Sequence, residues 1–111
     1  MIQRREGAGM SQGFAIVIDI GKTLSKVSLW SRDGRILDRV TRPNSPVEVD
    51  GTNRLDATGI AQFVLDALAR LGSESVNYIV PAAHGAGLAA LAGGRLVTLP
   101  LDYEQPLPPD L

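Results

Sequence analysis

The sequence predicts an α/β fold, a sheet that opens with antiparallel strands and is packed by one main helix. Three observations carry that expectation. Residues 14–18 (Phe-Ala-Ile-Val-Ile) form an unbroken apolar run, too short for an ordinary helix and rich in β-branched side chains, as in a fully buried strand. Residues 24–31 alternate, with Ser25, Val27, Leu29 and Ser31 on one side and Leu24, Lys26, Ser28 and Trp30 on the other, which is the two-residue period of a strand. Between Asp56 and Leu71, the residues Ile60, Phe63, Val64, Ala67, Leu68 and Leu71 recur at helical spacing.

In chain order, residues 1–13 are polar, glycine-bearing and unpatterned, and read as a flexible extension with Met10 as an alternative start. The first strand follows and ends near Asp19. The second runs to the turn signal Asp33-Gly34. Residues 35–41 alternate Ile36, Asp38 and Val40 with Leu37 and Arg39, giving a third strand that Pro43 and Pro46 stop. Residues 44–55 read as a loop with a turn at Asp50-Gly51. Asp56 is placed to cap the helix and Gly72 to end it, and the apolar stripe covers one face of the sheet. Residues 76–80 form a further short strand that Pro81 breaks, and residues 88–99 form a hairpin about Gly93 and Gly94. Residues 107–111, after Pro106, are an extended linker or a cut end.

Composition excludes several classes of function. At 111 residues the chain is one domain or part of one, long enough for a modest core. Its 44% apolar and 21% charged residues are ordinary globular usage, which argues against a disordered chain. A net charge of −1 with 5% aromatics provides no basic surface for nucleic acid. The absence of cysteine excludes disulfides and thiolate metal sites. No apolar run approaches a membrane span and none follows Arg4 and Arg5, so the cytoplasm is the expected location.

The chemistry concentrates between the first two strands. A carboxylate so close to a buried strand is either solvated at the strand end, where it can cap a turn, or bound to something positive such as a metal ion, and this is the position of Asp19. Gly21 allows a tight turn and close approach to a ligand, Thr23 offers a hydroxyl, and Lys26 a fixed positive charge. Gly21, Lys22 and Thr23 spell the end of a Walker A motif, but the glycine that motif needs five residues earlier is Ile16. A strand rather than a helix also follows the turn, so a phosphate loop here lies in the bend of a β-hairpin.

Asp19, Gly21, Thr23 and Lys26 resemble the D-x-G-x-T-x-x-K or R phosphate motif at the amino terminus of the FGGY family of sugar kinases, in the superfamily shared with actin, hexokinase and the seventy-kilodalton chaperones. The family has three antiparallel strands, a helix, a further strand and a segment often reading Q-x-H-G before a hairpin. His84, Gly85 and Ala86 resemble the H-G-A of xylulokinase-like members, and Gly93-Gly94 stands where the family usually has D-x-x-G. The resemblance covers residues 14–106, the amino-terminal part of a typical member, and implies a mixed-sheet, ribonuclease H-like domain that is incomplete.

It also implies ATP and Mg²⁺ as cofactors, with Asp19 holding the metal directly or through water, and Gly21, Lys22, Thr23 and Lys26 along the phosphate path. Lys22 departs from the small or hydroxyl residue usual there, and reads either as an exposed lysine or as an added phosphate contact. Ala83, His84 and Gly85 would lie beside the sugar hydroxyls, although His84, the single histidine, has a purely structural reading too. Ala82 replaces a glutamine common in relatives. Asp102, Tyr103 and Glu104 replace a Trp-Asp-Arg element, and the carboxylates of Asp102 and Glu104 either bind sugar hydroxyls or form a solvated loop.

The implied reaction is in-line transfer of the ATP γ-phosphoryl group to a hydroxyl of a ketose or polyol. The family's catalytic base and adenine pocket lie downstream, so no catalytic residue is expected in this chain and the chain alone is expected to be inactive. Its partners would be the sugar, ATP and the rest of the kinase chain. A homodimer is open, and neither nucleic acid nor membrane is expected. The alternative is a non-catalytic ribonuclease H-like binding or regulatory module; an acetate or hexose kinase fits the His-Gly-Ala segment less well. The sugar itself is not legible.

Overall fold

The computed structural model describes residues 13–73, 75–85, 87–102 and 104. The expected extension before residue 13 and the linker over 107–111 lie outside the described residues. The chain opens with β1 (Phe14–Ile20), β2 (Leu24–Trp30) and β3 (Ile36–Pro43), antiparallel in succession. A small hairpin of β4 (Val47–Val49) and β5 (Thr52–Arg54) precedes the helix α1 (Ala57–Leu71). The chain then returns as β6 (Val76–Ala83), parallel to β1, and ends in a short hairpin of β7 (Leu91–Ala92) and β8 (Arg95–Leu96). The main sheet has the order β3-β2-β1-β6, a mixed sheet with one helix, as the sequence predicts.

The core lies between this sheet and α1. Ile18 stands opposite Val27, Ile16 opposite Leu29, and Val27 opposite Val40, and directly opposed residues point to the same face. Ile16 and Val27 are fully buried there, against Ala67 and Leu71 of the helix. Burying side chains of this size stabilises the fold by about 2 kcal/mol each. Every member of the expected helical stripe is buried or half-buried, whereas Leu65, off the stripe, is exposed. Asp56 caps α1 by accepting from the Gly59 N–H at 3.0 Å. Gly72 ends it in an extended conformation rather than a left-handed one; its N–H bonds to the Leu68 carbonyl, and a side chain there would collide with that carbonyl.

The structure corrects four local expectations. Residues 44–55 are not all loop: Asp50 (φ 53°) and Gly51 (φ 75°) form a left-handed two-residue turn, which matches strand twist and closes the β4–β5 hairpin. Pro81 does not break the strand after residue 80; β6 continues to Ala83 because it pairs with β1 alone in the four-stranded sheet, and an edge tolerates a residue lacking an N–H. The hairpin over 88–99 keeps its Gly93-Gly94 turn, but its paired strands shrink to two residues each, since alanine packs little on a pleated surface. β1 and β3 each extend two residues past their expected ends, so Asp19 lies within the ladder. No helix among the described residues is long and apolar enough to cross a membrane.

Candidate functional site

The β1–β2 register sets the first part of the site. Asp19 is the cross-strand partner of Lys26, so both side chains project on one face, opposite to the face that Ile18 and Val27 give to α1. Lys26 Nζ lies 3.5 Å from Asp19 Oδ2, with both side chains partly open to solvent. Such a pair adds about 0.5 kcal/mol to stability. The strand that begins at Leu24 leaves no helix start in this turn. The Gly21 N–H bonds to the Leu24 carbonyl at 2.9 Å and closes the turn, and a Cβ at Gly21 would come within 3.1 Å of that oxygen. Thr23 is exposed at the bend.

Asn44 grips this turn from the end of β3. Its side-chain N–H donates to the Gly21 carbonyl at 2.9 Å, its Oδ1 accepts from the buried Ser25 hydroxyl at 3.0 Å, and its backbone N–H donates to the Thr23 carbonyl at 2.9 Å. Arg42 extends the clamp. It reaches Asn44 Oδ1 at 3.4 Å and pairs with Asp56 at 2.6 Å, so the turn is tied to the helix cap. That hydrogen bond from Arg42, followed by the one from the Gly59 N–H, holds the Asp56 carboxyl below its ordinary pKa. Gly59 is needed for space here, because a Cβ would land on the Asp56 carboxylate and the Arg42 guanidinium. Sequence reasoning missed Asn44 and Arg42; a polar residue after a proline carries no local sign of a clamp.

The parallel return of β6 supplies the second part. Its end runs beside the end of β1, Ala83 opposite Ile20, and the ladder continues as the His84 N–H bonds to the Ile20 carbonyl at 3.2 Å. His84 therefore lines one small cleft together with Gly21, Lys22, Asn44 and Asp102, with a cavity volume of about 30 Å³ that opens to solvent. Carboxyl ends of parallel strands are where open α/β sheets bind ligands. Lys22 enters neither of its two expected surroundings alone: Nζ lies 3.1 Å from Glu104 Oε1 and 3.4 Å from Asp102 Oδ1. The hydrogen bond to Glu104 holds the ammonium above its usual pKa.

Asp102 is buried, 5% exposed, and fixed from both sides: its N–H bonds to the Asn53 carbonyl and its Oδ1 accepts from the Glu104 N–H at 3.0 Å. The expected site residues thus fall into two groups. Asp19 and Lys26 share the face away from the helix, while Gly21, Lys22, His84 and Asp102 share the cleft, with Glu104 at its rim. Ala83 and Gly85 flank His84 and are exposed outside that lining. Tyr103 lies outside the described residues.

Among the described residues no three His, Asp or Glu side chains gather as a metal cage. Asp19 still suits magnesium, which takes one or two carboxylates together with water and substrate phosphates rather than a full protein cage.

No family model matches the sequence, and no curated protein does. Among solved structures, a carbohydrate kinase from Novosphingobium aromaticivorans is 56% identical, with a TM-score of 0.82 over 91% of this chain and 22% of its own. This neighbour is a carbohydrate kinase, and this chain is similar to about a fifth of it. Two more distant carbohydrate kinases share the fold. A xylulose kinase from Rhodospirillum rubrum is 19% identical (TM-score 0.68, 87% of this chain and 22% of that one). A gluconate kinase from Lactobacillus acidophilus is 20% identical (TM-score 0.66, 82% and 20%). The chain spans about a fifth of the length of these carbohydrate kinases.

Proposed function

We propose that this chain provides the phosphate-binding turn and part of the sugar site of an FGGY-type kinase, which phosphorylates a hydroxyl of a ketose or polyol with ATP in the cytoplasm. The observation that carries the reading is the Asp19–Lys26 pair, one carboxylate and one ammonium on the same open face beside a turn clamped by Asn44. Lys26 attracts the phosphate oxygens, and Gly21 lets the nucleotide tail approach the backbone. Asp19 would hold Mg²⁺, which when bound neutralises charge on the transferring phosphoryl group. The clamp keeps the turn in one shape before nucleotide arrives, so little ordering cost falls on binding. His84 and Asp102 offer a ring nitrogen and a carboxylate to sugar hydroxyls from the cleft. The base that accepts the hydroxyl proton and the adenine pocket are assigned to the remainder of the intact enzyme, so this chain alone transfers no phosphate.

A coupled ATPase screen of the intact enzyme against ketoses and polyols tests the reading. Turnover with at least one of them is expected. Asp19→Asn and Lys26→Met should each lower kcat/KM by about a hundredfold while circular dichroism stays unchanged. A wild-type enzyme silent on the whole panel, or variants as active as wild type, would overturn it.

A further inference from the structure

Lys22 has a position that neither a solvated lysine nor a nucleotide contact explains. Its ammonium has carboxylates within 3.1 and 3.4 Å, both on a segment some eighty residues further along the chain. We propose that Lys22 serves the sugar side of the cleft and not the nucleotide: its ion pairs tie the turn after β1 to the segment carrying Asp102 and Glu104, and hold the Asp102 carboxylate ready to accept hydroxyl hydrogen bonds from an uncharged polyol or ketose. The inference rests on the sugar-kinase reading and names the substrate chemistry of that same site.

Three observations support it. Asp102 is almost wholly buried, and a carboxylate in such a place is costly without a countercharge, which Lys22 supplies. The Glu104 N–H donates to the same oxygen of Asp102 that faces Lys22, so the carboxylate is restrained in orientation as well as charge. The local charge points the same way. Among the described residues, the Lys22 ammonium is shared by the Asp102 and Glu104 carboxylates and Arg42 is paired with Asp56, so an anionic group entering this corner competes with carboxylates already in place. A nucleotide phosphate or a sugar acid is disfavoured there, and a neutral hydroxyl is favoured.

The test is a split of Michaelis constants in the intact enzyme, with Lys22→Met, Lys22→Arg and Glu104→Gln. Lys22→Met should raise the sugar KM about tenfold and leave the ATP KM within about twofold. Lys22→Arg should recover most of the loss. Glu104→Gln, at an exposed side chain, should move the sugar KM in the same direction by less, and it decides the matter by the same split should Lys22→Met fail to fold. An ATP KM that rises as much as the sugar KM, or a sugar KM that does not move, overturns the inference while leaving an active sugar kinase in place. A wild-type enzyme inactive on every sugar removes the sugar-kinase reading itself, and this inference with it.

Discussion

The turn between β1 and β2 and the wall that carries Asp102 face each other across one cleft, yet they are held in different ways. The turn is locked by neighbours: the Gly21–Leu24 bond closes it, and Asn44, the first residue after β3, takes hold of Gly21, Thr23 and Ser25. The wall hangs on β5 and its flanks through distant partners, with Leu55 N–H to the Pro100 carbonyl at 2.7 Å, Arg54 Nη1 to the Leu99 carbonyl at 2.9 Å, and Asp102 N–H to the Asn53 carbonyl. Lys22 then joins the wall to the turn. The difference teaches that one wall of a cleft can be encoded within a single β-meander while the other depends on tertiary assembly.

The comparison breaks most completely at the core beneath both halves. Ile16→Ala should cost about 3 kcal/mol, lowering the denaturant midpoint in one transition that takes turn and wall together. Two separate transitions would show that the wall stands without the sheet.

A smaller effect, about 2 kcal/mol, is expected of Asp56→Asn, which keeps a capping side chain but removes the charge paired with Arg42. Its pH dependence has a definite sign. The folded carboxyl titrates below its ordinary value of 3.8, so the stabilisation is complete above that value and fades as the pH falls through the lower, folded one. Urea midpoints of wild type and variant should therefore differ at pH 7 and draw together only as the pH falls below 3.8 and through the lower, folded value.

The smallest effect on stability sharpens the contrast most. Asn44→Ala should cost about 1.5 kcal/mol by leaving the Gly21 carbonyl and Ser25 hydroxyl without their partner. Under the proposed function, in the intact enzyme it should raise the ATP KM more than the sugar KM, because Asn44 holds the Gly21 turn, the reverse of the split expected of Lys22→Met. Steady-state kinetics with each substrate varied in turn would reveal it.

What the sequence made legible follows the same division. The apolar run, the alternation from Leu24 and the helical stripe located β1, β2 and α1, because burial on one face leaves a periodic trace. The opposed Asp19 and Lys26 follow from that register. The clamp could not be read, since Asn44 and Arg42 act through partners that only the β2–β3 pairing and the helix cap bring near. The β4–β5 hairpin did leave a trace, Val47 and Val49 alternating before Asp50-Gly51, but three-residue strands are too short for a period to stand out. In sequence alone Lys22 reads either as an exposed lysine or as a phosphate contact, since its carboxylate partners are remote in sequence. In β6, the edge position overrode the proline.

The parallel return of β6 beside β1 has a kinetic corollary. The β1–β2–β3 meander can zip from nearby residues, but docking β6 requires closing the connection that contains α1, a slower event because its entropic cost precedes its contacts. The cleft between Gly21 and His84 is therefore expected to form after the meander, an order that stopped-flow refolding would check. Anything that spans it recognises the finished domain and not the early hairpin, and at a hundredfold excess over its dissociation constant it would add about 2.7 kcal/mol of stability. A ligand bridging that cleft would, by the same geometry, favour the docked state of β6.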